Sequence, residues 1–214
     1  MAIKDLLKRI LGKKKVFTNS EEYWKKRYAS GGNSGDGSYR NLALFKADFL
    51  NTFVSVHNIQ TVLEFGCGDG NQLSFASYPN YIGYDVSADA VNRCKAKFEN
   101  DHSKSFFLVL DYAGQKANLS ISLDVIYHLV EDEVFEQYMN RLFDSSDMFV
   151  IIYSSNSHGI AESSALHVRH RKFSEWVDRN KAQWRLVEKI PNKYPYNGDT
   201  KTGSFADFYV YEKR

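Results

Sequence analysis

The residues best suited to chemistry in this 214-residue chain gather around one glycine-rich turn. A short apolar run at 62–65 (Val-Leu-Glu-Phe) meets Gly66-Cys67-Gly68-Asp69-Gly70, and Asn71-Gln72-Leu73 follows as a helix opening. Glycines at a strand-to-helix turn let the backbone approach a ligand closely, and in an open α/β sheet that crevice is where ligands bind. A second apolar run, 81–84, ends in Asp85, nineteen positions after Gly66. An acidic residue at that offset can accept both hydroxyls of an adenosine ribose. Plainer readings stand beside these: the glycines make a tight turn, Asp85 caps a helix starting near Ser87, and Cys67 is a small buried filler with no basic partner to activate it.

Six histidines compete for the part of a general base, a role that a neutral imidazole suits near pH 7. His128 is the first candidate, because it follows the predicted fourth strand at the crevice end of the sheet, four residues after Asp124. The alternative for His128 is a buried, hydrogen-bonded core position. His167-Val168-Arg169-His170-Arg171 is the second cluster: its arginines could grip an anionic acceptor while His167 or His170 serves as base, or the run could be a solvated helix start. The histidines lack the supporting Cys or carboxylate spacing of a zinc site, so no metal is expected.

These residues need a scaffold, and hydrophobic periodicity supplies one. Residues 1–15 carry Ile3, Leu6, Leu7, Ile10 and Leu11 on one helical face and Lys4, Lys8 and Arg9 on the other, an amphipathic basic helix. Such a helix suits an anionic membrane surface or a partner protein, and equally well packs on its own domain or on a second subunit. A short helix is expected over 21–30, a glycine-rich loop over 31–38, and a longer helix over 39–57. Strands follow near 61–65, 80–85, 105–110, 119–123 and 147–153, with helices near 71–77, 87–99, 131–144 and 170–181. That alternation predicts a mainly parallel sheet with helices on both faces. Two further strands, 184–190 and 205–211, flank a polar, turn-rich stretch at 191–203 that is long enough to be a functional loop.

Taken together the motifs resemble those of the class I S-adenosylmethionine-dependent methyltransferases. Glu64-x-Gly66-x-Gly68-x-Gly70 is similar to their motif I, in which the acidic residue ends the first strand and the loop, here Gly66, Cys67, Gly68 and Asp69, lies against the methionine part of the cofactor. Asp85 matches the acidic residue of motif II, and Asp111-Tyr112 matches the adenine-contacting position. The segment from Ser122 through Asp124 to Leu129 looks like the one that closes over the sulfonium end. Asn118 stands where many relatives carry an aspartate. Tyr23-Trp24-x-x-x-Tyr28 resembles the lid-like start of small methyltransferases, which folds over the cofactor, with 31–38 as its hinge. The resemblance implies a Rossmann-like, mostly parallel seven-stranded sheet with an antiparallel last strand, in a single domain over 16–214 whose first part, 16–38, is the lid. It also implies S-adenosylmethionine as cofactor and S-adenosylhomocysteine as product. A closer similarity, to small bacterial enzymes of surface-polysaccharide biosynthesis, implies a sugar or phosphate-linked glycan hydroxyl as acceptor.

Other function classes fit less well. A dinucleotide fingerprint needs a third glycine where Asn71 stands, which weakens a nicotinamide or flavin reading. A net charge of +2 gives no general footprint for nucleic acid, and Ser122-Leu123-Asp124-Val125 replaces the Asn-Pro-Pro-Tyr signature of base and glutamine methylation. A small-molecule acceptor and a cofactor-binding scaffold without turnover both remain open at this level. With two cysteines and neither a signal peptide nor an apolar run long enough to span a membrane, the expected location is the cytoplasm, where residues 1–15 would suit the inner face of the membrane.

Overall fold

The structure, a computed structural model, describes residues 17–159 and 165–214. The amphipathic helix expected over 1–15 lies outside the described residues. Helix α1 (Ser20–Ala29) begins where the Asn19 side chain accepts a hydrogen bond from the Glu22 N–H. Glu21 and Glu22 in its first turn and Lys26 and Arg27 in its last oppose the helix dipole. After the glycine-rich loop comes α2 (Arg40–Val56), then β1 (Thr61–Phe65), β2 (Asn80–Asp85), α3 (Ala88–Lys97), β3 (Lys104–Leu108), β4 (Ala117–Leu123), α4 (Asp132–Asp144), β5 (Ser146–Ser154), α5 (Phe173–Asn180), β6 (Trp184–Ile190) and β7 (Asp207–Lys213).

The seven strands form one sheet in the order β3-β2-β1-β4-β5-β7-β6. β1, β2, β3, β4 and β5 pair in parallel, and β7 runs antiparallel to both of its neighbours, β5 and β6. Six strands therefore point one way and the last points back, as expected from the resemblance. Side chains alternate across the pleat, so neighbouring residues serve two different cores. Val62, Tyr81, Leu119, Ile151 and Val210 pack against α2 and α3 on one face. Leu63, Val150, Ile152, Tyr209 and Tyr211 pack against α4 and α5 on the other. Burial on both sides is why the central strands read as continuous apolar runs.

Order reversal at β1 opens a crevice at the carboxyl ends of β1 and β4, since β2 lies on one side of β1 and β4 on the other. The helix expected at 71–77 is absent: the chain makes a single 3-10 turn, Leu73–Phe75, and Ala76 is already extended. Pro79 disfavours helix in the residue before it, and β2 begins at Asn80, which leaves no room for a further turn. The third strand stops at Leu108, and a 3-10 turn over Val109–Asp111 replaces its predicted end. The last helix starts at Phe173 instead of 170. Among the described residues no helix is long and apolar enough to cross a membrane.

Candidate functional site

The crevice holds a cavity of about 610 Å³, walled by the ends of β1, β2 and β4, by the chain after β3, by α4 and by α1. Its floor is the glycine turn. Gly66 has φ +89°, and a Cβ there would lie 2.6 Å from Val125 Cγ2; Gly68 has φ +60°, and its Cβ would meet Ser34 Oγ at 2.3 Å. Only glycine satisfies both the left-handed backbone and the close packing at these two points.

Among the polar side chains that line the cavity are Asp85, Glu64 and Gln72, which are buried, and Asp124, which is partly so. Asp85, at the end of β2, accepts hydrogen bonds from the Gly68 N–H (3.0 Å) and the Ser87 N–H (2.9 Å), one on each carboxylate oxygen. Burial raises its pKa to about 6 against the lowering effect of those backbone donors. Glu64, on β1, accepts from the Tyr81 hydroxyl at 2.6 Å, and burial pushes it up to about 7 although the Tyr81 bond and Lys46 pull it down. Gln72 donates its amide N–H to the Ala43 carbonyl at 3.0 Å, so its Oε1 must face the other way, where it is buried with no partner. Asp124, at the end of β4, sits in the left-handed region at φ +61°. Its carboxylate is held by Lys46 and by the Tyr127 hydroxyl (2.8 Å).

Lys46 is a site residue that the sequence motifs do not mark. It is fully buried on α2, one helical turn from Leu42 and one from Leu50 on the apolar face, and that core spacing is the signal that could have exposed it. Its ammonium pairs with Asp124 and lies 5.1 Å from the centre of the Tyr153 ring.

Part of the segment expected as a lid, through Trp24, Tyr28, Ser34 and Ser38, borders the cavity and is fastened to the glycine turn and to α3. Asp69 accepts from the Ser34 N–H (3.0 Å) and the Tyr39 hydroxyl (2.8 Å), and its own N–H donates to Ser34 Oγ, which also bonds the Tyr28 hydroxyl. Burial works to raise Asp69, but these donors and the Asn71 N–H outweigh it and hold the carboxyl below its usual range. Arg93, on α3, donates to the carbonyls of Gly32 and Tyr28. At the start of α1, Ser20 Oγ donates to Glu131 and accepts from the Val130 N–H.

His128 lines the cavity beyond Asp124. Its Nδ1 lies 3.1 Å from the His167 carbonyl, which can only accept, so Nδ1 carries the proton and Nε2 keeps its lone pair. Burial lowers its pKa to about 4, so the imidazole is neutral at pH 7. Tyr28, Trp24, Ser34, Ser38, Cys67, Leu108, Leu110, Tyr138 and Arg141 complete much of the wall. Cys67 is one of two free, buried cysteines.

Several residues singled out from the sequence stand outside that lining. Asp69 belongs to the lid fastening. Asp111 folds its carboxylate back onto the Leu108 N–H (3.2 Å), and Tyr112 packs edge-on against Phe65 and Tyr84, so the wall there is made by Leu108, Val109 and Leu110 instead. Ser122 lies behind the wall, where the Tyr138 hydroxyl bridges it and the Phe65 carbonyl. His167 is stacked parallel to His128 and Tyr23. His170 Nδ1 bonds Ser155 Oγ at 2.6 Å, away from the cavity. Arg169 and Arg171 do not reach for a ligand: both engage Asp132, and both donate to the Val130 carbonyl.

Neither a protein-family model nor a curated protein sequence matches this chain. Solved structures do. The methyltransferase domain of bacterial CtHen1 is similar at 20% identity with a TM-score of 0.62, over 81% of this chain and 99% of that one. The N-methyltransferase NodS from Bradyrhizobium japonicum WM9, in complex with S-adenosylhomocysteine, is 12% identical with a TM-score of 0.66, over 92% and 99%. Magnesium protoporphyrin IX methyltransferase (ChlM) from Synechocystis PCC 6803, with bound S-adenosylmethionine, is 14% identical with a TM-score of 0.65, over 93% and 99%. At these identities the likeness is one of fold: the chain has the Rossmann-like architecture of these methyltransferases.

Two outcomes follow from the buried charges. Lys46→Ala strands Asp124 without its partner and should destabilise the protein by about 3–5 kcal/mol in urea unfolding, while Lys46→Met combined with Asp124→Asn should recover most of that loss. Asp85 and Glu64 have folded-state pKa values above those of an unfolded chain, so the folded protein holds protons that the unfolded chain has released. Their contribution is most favourable in mild acid and is lost as pH rises from about 4 through 7. Glu64→Gln should therefore flatten the fall in unfolding free energy between pH 5 and pH 8, by on the order of 2–3 kcal/mol.

Proposed function

We propose that this protein is an S-adenosylmethionine-dependent methyltransferase that acts on a hydroxyl group of a small-molecule or glycan acceptor. One observation carries the cofactor assignment: Gln72, whose Oε1 is a buried, unpartnered acceptor, lines the same cavity as Asp85. A ligand with an amine at one end and a vicinal diol at the other answers both. Asp85 keeps free lone pairs on each oxygen after its backbone bonds, enough for two ribose hydroxyls, and Gln72 Oε1 would take an ammonium proton. Leu108, Val109 and Leu110 offer an apolar wall for a base ring.

When bound, the cofactor supplies a methyl group activated on a sulfonium. The acidic wall suits a cation: Asp85 and Asp124 line the cavity, and a positive charge beside Glu64 would favour the ionised form that burial resists. His128 Nε2 is the available acceptor for the proton that leaves as the acceptor oxygen bonds the methyl carbon and the carbon–sulfur bond breaks. The closed lid holds the reactants together and excludes water, which removes a large entropic part of the barrier. A hydroxyl acceptor accords with a base held neutral.

Calorimetric titration tests the assignment. S-adenosylmethionine and S-adenosylhomocysteine should bind and NADH should not, with Asp85→Ala and Gln72→Leu each weakening the sulfur ligands by about tenfold or more. Binding of NADH in preference would overturn it. Labelled methyl transfer to simple alcohols and nucleotide-linked sugars should be lost in His128→Ala, whereas cofactor binding that never leads to transfer would mark a scaffold.

A further inference from the structure

The lid does more than cover the cavity. Trp24, on α1, sets its ring edge-on to His128, with centroids 4.9 Å apart and planes at 78°. Tyr23, the adjacent residue, lies parallel to His167 at 4.1 Å, and His167 is in turn parallel to His128 at 5.5 Å. His167 also supplies the carbonyl that accepts a hydrogen bond from the His128 Nδ1–H. Arg27, one turn along the helix, lies 5.5 Å from the centre of the Trp24 ring and within reach of the Tyr23 hydroxyl. A cover needs only bulk over the opening. These contacts fall on the imidazole and on the residue that orients it.

Resting on the assignment of His128 as the base, we propose that Trp24 and Tyr23 are positioning residues for it. Closure of α1 clamps the imidazole between Trp24 and His167, fixes Nδ1–H on the His167 carbonyl and leaves Nε2 as the free acceptor. The base is thereby assembled only when the cavity is covered.

The groups that face this imidazole come from three elements. They are Arg27, Tyr23 and Trp24 on α1, Asp124 and Tyr127 on its own turn, and the ring and carbonyl of His167 before α5. Burial lowers the pKa most, the His167 ring and Arg27 act in the same direction, and the His167 carbonyl and Asp124 oppose them. Withdrawing α1 rehydrates the ring and removes Arg27, which returns the group toward the ordinary value of about 6.5.

Histidine-ring NMR of the full chain without cofactor reads this directly, with His128→Ala identifying the resonance. In the unsubstituted protein His128 should titrate near 4, with nitrogen shifts of the Nδ1–H tautomer. Trp24→Leu and Tyr23→Leu should each move the midpoint upward toward about 6.5 and mix the tautomers. Trp24→Phe, which keeps an aromatic edge, should stay near the parent value. Circular dichroism and cofactor titration separate a local effect from loss of fold. Folded leucine variants with the parent titration and tautomer would overturn the proposal and leave the two rings as cover alone. Persistence of methyl transfer in His128→Ala would instead sink the base assignment on which the proposal stands.

Discussion

The buried Lys46–Asp124 pair is the constraint on which the rest of the site depends. A lysine with no exposure is costly to desolvate, and it is tolerable here because a carboxylate and an aromatic face meet it. The pair joins α2 to the end of β4 and holds Asp124 in a backbone conformation that side chains rarely adopt. That turn sends Val125 against Gly66, so the position of the glycine loop and the position of the β4 turn are one fact. It also brings Gly37 of the lid so close that a Cβ there would lie 2.7 Å from an Asp124 oxygen. Tyr127 and His128 inherit their places from the same turn.

Around it, polar groups have been arranged at the expense of stability. Two carboxylates sit where burial resists their ionisation, an amide oxygen is left without a donor, and a histidine is held neutral by its surroundings. Hydrophobic packing on both faces of the sheet carries that cost, because the strands that present these groups are among the most buried in the molecule. Such a division is typical of sites whose residues are tuned for a ligand rather than for the empty protein.

Much of this was legible in the residues. Alternating strands and helices gave the sheet, and the reversed last strand followed from the family resemblance. Glycines with Asp85 at the right offset located the crevice, and of the aromatic residues singled out before it Trp24 and Tyr28 line the cavity. The sequence pattern misled at 71–77, where a helical opening was cut short by Pro79 and the start of β2. The two readings left open for Arg169 and Arg171 could not be decided from the sequence, because a charged run does not reveal that Asp132 and a backbone carbonyl engage both guanidinium groups. Lys46 was hidden for the opposite reason: a lone lysine in an amphipathic helix is ordinarily on the wet side, and only its spacing from Leu42 and Leu50 betrays it. Long-range pairs such as Lys46 with Asp124, seventy-eight positions apart, have no local signature at all.

The stretch from Tyr28 to Tyr39 is fastened to the floor it borders. Ser34 and Tyr39 are tied to Asp69, and Gly32 and Tyr28 to Arg93, so the loop over the cavity is anchored to the very turn that forms the cavity floor. Moving that loop would break bonds to the floor as well, so cover and floor hold or yield as one unit.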